Sequence, residues 1–125
     1  MSSGILPVQS SELVAALAAV RDAMAICRSV QASFDGGSLA KEDKSPVTIA
    51  DFGSQAVVCR RLAETFPHDP IIGEEDSSAL MNEEHAPFLH RIHDEVCRNC
   101  IEATPDQICH WIDRGNASEY SDRFW

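Results

Sequence analysis

Apolar residues recur at helical spacing along four stretches of the chain, and each stretch predicts a helix. In the first stretch they follow one another at intervals of three and four residues, which places them on one helical face. Ser10 or Ser11 can cap this helix, and the glycine pair at 36–37 lies beyond its end. We expect the apolar face to lie in the core, with its sulfur-containing side chains as packing groups rather than ligands of a soft metal. The face comprises Leu13, Leu17, Val20, Met24 and Cys27.

The second helix is expected to begin after Thr48, a typical N-cap residue, and to end before Pro67. Asp51 stands three residues after Thr48, where a capping box has its acid. A polar loop is predicted at residues 41–45, and the proline that follows it favours an extended conformation for the last loop residue. The predicted buried stripe of the helix is Phe52, Ala56, Cys59, Leu62 or Ala63, and Phe66.

A short apolar run and a run of acids follow the second helix. Residues 71–72, both isoleucine, predict a brief buried strand. Gly73 then allows the backbone to bend directly into residues 74–76, Glu-Glu-Asp, which are termed the acid loop below. The polar residues 77–84 are predicted to be exposed.

Two further helices complete the pattern. Pro87 is placed to start the third helix, and Thr104 with Pro105 to start the fourth, which Gly115 ends. Their apolar side chains are Phe88, Leu89, Ile92 and Val96 in the third helix, and Ile108, Trp111 and Ile112 in the fourth. The final Phe-Trp pair, residues 124–125, is unusual for the end of a domain and predicts that the chain is entering another strand.

Composition and charge restrict the class of partner. The 125 residues are 44% hydrophobic and 24% charged, which is typical of one folded domain. Twenty acids against ten Lys and Arg give a formal net charge of -10, which disfavours nucleic-acid polymers and anionic membranes as partners. Five dispersed cysteines indicate reduced thiols, and we expect a cytoplasmic protein because the sequence has neither a secretory signal pattern nor an apolar span. The oligomeric state stays open.

The acids around the second helix are the candidate chemistry. Asp51 lies near the start of that helix, and Glu74, Glu75 and Asp76 follow a bend after an apolar run. Carboxylates that lie close together can bind Mg²⁺, which prefers oxygen ligands. One of them can also orient a water molecule for attack. Composition and spacing are equally compatible with a helix cap and a solvated turn, so both interpretations stay open at this point.

Cysteines and histidines offer a weaker alternative. Cys97 and Cys100, with the adjacent Cys109 and His110, have the number of ligands that zinc requires. However, adjacent residues of a helix point in different directions, so we expect free thiols instead. His85, His90 and His93 are expected to lie at the surface near acids.

Two regions carry a resemblance to a known family. The first contains Ser-Pro-Val-Thr-Ile-Ala-Asp at 45–51, Gln55, Phe-Pro at 66–67 and Ile-Gly-Glu-Glu-Asp at 72–76. It resembles the lithium-sensitive, magnesium-dependent phosphatases of the inositol monophosphatase superfamily, and within them the 3'(2'),5'-bisphosphate nucleotidase branch. The second region runs from Ile-Asp-Arg-Gly-Asn at 112–116 through Arg-Phe-Trp at 123–125, and it is similar to the lead-in to the main metal motif of that branch.

The resemblance implies roles for individual residues. Glu74 would be a ligand of Mg²⁺, and Asp51 would help to position the water that attacks phosphorus. Glu75 would support the network of water and ligands beside the metals. Asp43 and Lys44 would flank the site without a defined role.

The resemblance also implies a fold and a reaction. The fold would be an α/β layered αβαβα sandwich, with residues 1–125 as its mostly helical N-terminal portion. The substrate would be 3'-phosphoadenosine 5'-phosphate, a compound of nucleotide and sulfur-assimilation metabolism, and loss of its 3'-phosphate leaves AMP. The family's next motif, Asp-Pro-Ile-Asp-Gly-Thr, supplies further metal ligands and is expected just after Trp125, so we expect residues 1–125 alone to be inactive. The alternatives are a non-catalytic acidic interaction module and an inositol-phosphate phosphatase of the same superfamily.

Overall fold

Helices make up most of the chain that this computed structural model describes, which is residues 10–33 and 45–125, with side chains from residue 49 onwards in the second range. In chain order the elements are α1 (Ser11–Ser33), α2 (Ser45–Thr65), two short 3₁₀ helices (Ser77–Leu80 and Glu83–His85), α3 (Ala86–Asn99) and α4 (Pro105–Asp113). The mostly helical character predicted for this region is confirmed, and no β-strand of the expected sandwich forms within the described residues. Of the predicted loop at 41–45, residues 41–44, with Asp43 and Lys44, lie outside the described residues, as does the glycine pair at 36–37. Ser45, predicted to be extended, is instead the first residue of α2.

α1 packs along α2 through small and branched side chains. The buried residues of α1 are Ala15, Ala19, Ile26 and Val30. Gly53 of α2 faces this side, because a Cβ built on it would lie 3.1 Å from Cγ2 of Ile26. The alanines and the glycine therefore let the two helices approach closely.

The apolar face predicted for α1 does not lie in the core, so that prediction is wrong. Leu13, Leu17, Val20 and Met24 are between 43% and 52% exposed, and the thiol-bearing Cys27 is exposed as well. The adjacent face, with its two alanines, is the one that packs on α2. The spacing identified one face of a helix correctly, but spacing alone does not show which face meets a neighbour.

α2 begins at Ser45, three residues before the predicted N-cap Thr48. Pro46 is therefore its second residue, a position where the missing N–H costs no intrahelical bond. Asp51 lies in the second turn of the helix and not in a capping box, so both parts of that prediction are wrong. The buried stripe is confirmed, and it consists of Phe52, Ala56, Cys59, Leu62 and Phe66.

α3 and α4 follow the prediction and close the core. Ile92 and Val96 of α3 are fully buried against Ile108 and Ile112 of α4, together with residues of α1 and α2. Pro87 lies in the first turn of α3. Thr104 caps α4 in a reciprocal capping box: its Oγ1 accepts the Gln107 N–H at 3.1 Å, and the Gln107 side chain accepts the Thr104 N–H at 2.9 Å.

The isoleucine run at 71–72 is hydrogen-bonded on both sides, although it forms no strand. Ile71 is buried, as predicted, but Ile72 is 39% exposed, and its pairing with Asn116 is a single antiparallel bridge. On the other side, Trp125 N–H donates to the Pro70 carbonyl at 3.0 Å and its carbonyl accepts Ile72 N–H at 2.9 Å. Trp125 thus bonds the residues on either side of Ile71, which is the hydrogen-bond pattern of two parallel strands.

Residues 77–84 are mostly exposed, as predicted, but two of them are buried and most are helical. They form the first 3₁₀ helix and enter the second, and both Ser77 and Leu80 are buried. Asp76 starts the first of these helices by accepting the Ser78 N–H at 2.8 Å. The segment has only one leucine, so its sequence shows no hydrophobic periodicity from which a 3₁₀ helix could be predicted.

The last residues of the chain are bound to the turn after α2. Oδ2 of Asp69 accepts from Nε of Arg123 at 2.6 Å and from Nε1 of Trp125 at 3.0 Å. Arg123 also pairs with Glu12 of α1 at 2.8 Å, and its guanidinium lies 4.1 Å from the ring centroid of Phe66. Trp125 stacks on the same ring, with centroids 5.6 Å apart. This group of residues is termed the tail latch.

Asp69→Asn should lower the melting temperature at neutral pH and have a smaller effect in acid. The hydrogen bond from Arg123 holds the pKa of Asp69 below its usual value. The ionised carboxylate therefore stabilises the fold above its unfolded-state pKa, and this contribution is lost as pH falls through the folded-state pKa. Circular-dichroism melts over a pH series, with the exposed Glu119→Gln as control, measure the effect. An equal loss at every pH would contradict the assigned ion pair.

Candidate functional site

One glutamine of α2 fixes the acid loop. Nε2 of Gln55 donates to the carbonyl oxygen of Glu75 at 2.7 Å and to that of Ile112, in α4, at 2.8 Å. Its Oε1 accepts the N–H of Glu75 at 3.1 Å. A single amide side chain therefore bonds both backbone groups of Glu75 and attaches the loop to the last turn of α4. This arrangement is termed the Gln55 clamp.

Two glycines make room for the clamp. A Cβ built on Gly73 would lie 2.5 Å from Oε1 of Gln55, and one built on Gly115 would lie 2.7 Å from Nε2. The two glycines are also joined, because Gly73 N–H donates to the Gly115 carbonyl at 2.6 Å. Gly73, predicted to permit a bend, and Gly115, predicted to end α4, are thus both needed for close approach to the same amide.

The predicted acids interact around this clamp. Asp51 precedes Gln55 by four residues in α2, so the two side chains share one helical face. Glu74 is exposed and Glu75 is half-buried. Burial raises the pKa of Glu75, and the negative charges of Asp51, Glu74 and Asp76 raise it further. Asp51 is therefore near enough to the acid loop for its charge to raise the pKa of Glu75.

Two more acids, Asp76 of the acid loop and Asp113 of α4, accept hydrogen bonds from serines. The hydrogen bonds from Ser78 lower the pKa of Asp76, in keeping with its role as a cap. Asp113, which follows Ile112 at the end of α4, accepts the N–H of Ser77 at 2.7 Å and its hydroxyl at 2.6 Å. The sequence analysis predicted neither the contact of Asp113 nor the role of Gln55. The only signal for Gln55 was that it is a polar residue one helical turn after Asp51.

The carboxylates of the acid loop can provide ligands on only one side of a hard divalent cation. Carboxylate oxygens are the ligands that Mg²⁺ prefers, and Mg²⁺ usually takes only one or two of them together with phosphate and water. Within the described ranges, no three His, Cys, Asp or Glu side chains converge closely enough to hold a metal ion. Glu74 and its neighbours therefore fit one wall of a magnesium site, and other ligands are needed to complete it.

Several cysteines and histidines outside the acid loop contact backbone carbonyls. All five cysteines are free. Sγ of Cys97 lies 3.4 Å from Nε2 of His93, and both atoms contact the carbonyl of Ala103. Cys100 instead contacts the Asp22 carbonyl in α1. The four ligands of the zinc alternative thus do not converge. Among the described helices, none has the length and apolarity needed to cross a membrane.

Comparison with known proteins gives a consistent result. The chain is 42% identical over 86 residues, 69% of its length, to the 3'(2'),5'-bisphosphate nucleotidase of Schizosaccharomyces pombe, and it covers 20% of that protein. It is 35% identical to 3'(2'),5'-bisphosphate nucleotidase 2 of Candida albicans in an alignment of 138 positions that includes all of this chain and 38% of the relative. A third relative, 3'(2'),5'-bisphosphate nucleotidase 1 of Arabidopsis thaliana, is 42% identical over 65% of this chain and 24% of its own length.

The chain therefore spans well under half the length of these relatives. No family model matches the sequence.

Gln55→Met should loosen the acid loop. The variant keeps the side-chain volume but leaves the two backbone groups of Glu75 and the Ile112 carbonyl without their partner, which should cost on the order of 2–4 kcal/mol. Urea unfolding measures the free energy, and hydrogen exchange at the Glu75 amide reports the loop itself.

Gln31→Met, on an exposed position of α1, is the matched control and should change neither quantity. The clamp would be refuted by a Gln55→Met protein in which the Glu75 amide keeps its native protection.

Proposed function

Because the chain belongs to the family of 3'(2'),5'-bisphosphate nucleotidases, we propose that it is part of a metal-dependent phosphomonoesterase. Its substrate would be 3'-phosphoadenosine 5'-phosphate and its products AMP and phosphate. The observation that carries the proposal is the acid loop, which the Gln55 clamp holds in electrostatic contact with Asp51. The names of the relatives support the choice of substrate over an inositol phosphate.

The position of each carboxylate is compatible with the role that the family resemblance implies for it. Glu74 is exposed on a loop whose backbone is fixed next to it, so it can bind a cation with little further ordering. Asp51 is held on a helix, where it can accept a hydrogen bond from a water and orient it. Glu75 is half-buried and positioned to support that water network. Mg²⁺, when bound, supplies Lewis-acid chemistry by neutralising phosphate charge and acidifying a water.

The proposal includes further layers and further ligands from residues outside this stretch of 125. The greater length of the relatives supports this. So does the parallel pairing of Trp125 with Ile71, since a chain continuing in that direction runs alongside the residues that lead into the acid loop. The exposed apolar face of α1 is the kind of surface that a second layer covers in an αβαβα sandwich. On this view residues 1–125 alone do not turn over substrate.

The expected partners are small phosphorylated nucleotides. A chain with a net charge of -10 repels polyanions, while a small phosphate ester can approach together with its cation. The five free thiols are compatible with the reducing conditions of the cytoplasm.

The acidic interaction module makes a different prediction for the isolated chain. A stand-alone module should melt cooperatively and stay monodisperse. A part of a larger enzyme should associate through the exposed α1 face. Calorimetry combined with light scattering separates the two.

Glu74→Gln and Asp51→Asn, made in the longest polypeptide that the gene encodes, should each reduce phosphate release by at least about a hundredfold. Both changes are nearly isosteric at exposed positions, so the melting temperature should change little. The assay measures phosphate from 3'-phosphoadenosine 5'-phosphate with added Mg²⁺. Glu83→Gln, in the second 3₁₀ helix, is the control and should retain activity. An unchanged turnover number for either test variant would refute its assigned role.

A further inference from the structure

We propose that a cavity between α2 and α4 binds a small organic anion, in which one phosphate or carboxylate group is attached to a flat apolar body. The cavity, termed the α2–α4 pocket, has a volume of about 310 Å³, at the lower end of the ~300–1,000 Å³ typical of small-molecule sites. Its residues come from the C-terminal half of α2, from Ile101 and from the side of α4 that carries Trp111 and Arg114. None of them belongs to the acid loop, so the inference does not depend on the hydrolytic function.

Cationic groups converge on the pocket although the chain as a whole is acidic. Two guanidinium groups, of Arg60 and Arg114, and one carboxylate, of Glu64, line it. Asp22, outside the lining, pairs with Arg60 at 3.7 Å and with Arg61 at 2.7 Å. The charge balance of the lining residues is therefore positive. An anion is attracted here while most of the surface repels it.

Arg60 has the strongest reason to accept a ligand. It is only 9% exposed, and within the described residues its buried Nε has no hydrogen-bond partner. A buried donor without a partner costs free energy. One of its Nη atoms bonds Glu64 at 2.6 Å, but the Glu64 side chain is 56% exposed and can turn into solvent. If Glu64 turns away, a ligand anion in the cavity can accept the hydrogen bond that Nη1 of Arg60 now donates to Glu64.

The opposite wall supplies the remaining contacts. Nη2 of Arg114 donates to the Pro67 carbonyl at 2.8 Å, which fixes this guanidinium beside the pocket. Its planar fork of donors suits the paired oxygens of a phosphate or carboxylate. Trp111 is half-buried with its ring centroid 5.9 Å from Cζ of Arg60, and together with Ile101 it forms an apolar wall for a flat body.

Phenyl phosphate is a probe that combines both parts, and benzyl alcohol is its neutral counterpart. The binding assay uses the longest polypeptide that the gene encodes, and the signal lost in Trp111→Phe identifies the Trp111 indole N–H in its NMR spectrum. Phenyl phosphate should shift the Trp111 signal saturably and leave the other indole signals in place. Benzyl alcohol should bind more weakly, because it lacks the charged group.

The variants identify the anion contact. Arg114→Gln should weaken phenyl phosphate binding by about tenfold or more, since it removes a charge-assisted contact. Arg28→Gln, an exposed change of equal charge on α1, should leave the affinity as it is. The proposal is overturned if no saturable shift occurs, if benzyl alcohol binds as tightly, or if both variants weaken binding equally, which would indicate only a general effect of net charge.

Discussion

The Gln55 clamp is the interaction on which the rest of the structure depends. One side-chain amide bonds the acid loop and the last turn of α4, and two glycines provide the space that this amide occupies. Gln55 belongs to α2, the helix that carries the long buried stripe. The packing of this helix in the core therefore determines where the acid loop lies. A carboxylate-bearing loop with few apolar side chains of its own is fixed in this way without being buried.

The same constraint explains why the acids stay close together despite repelling one another. Burial raises the pKa of Glu75, and the repulsion from its neighbours raises it further. Hydrogen bonds from Ser77 to Asp113 hold the following segment, and the tail latch holds the turn that precedes the loop. The backbone of the acid loop is therefore held in place by the Gln55 clamp and by contacts on both sides of it, despite the repulsion between its carboxylates.

The two ends of α2 have different electrostatic surroundings. Near its start, Asp51 and the acid loop form a negative region suited to a hard cation. Towards its end, Arg60 pairs with acids of α1 and α2 and, with Arg114, forms a positive region beside an aromatic ring. The length of the helix keeps the two groups of charges from neutralising each other.

The sequence by itself determined what depends on neighbours in the chain. Helices α3 and α4, the Thr104 cap of α4 and the buried stripe of α2 follow from local spacing, and the choice of Asp51, Glu74 and Glu75 as candidate site residues from a local motif. The tertiary structure alone decided which face of α1 packs on α2, and that Gln55 bonds the acid loop. These depend on contacts between residues far apart in sequence, where an alanine face can pack better than a leucine face because it permits closer approach. Hydrophobic spacing carries no information about such partners.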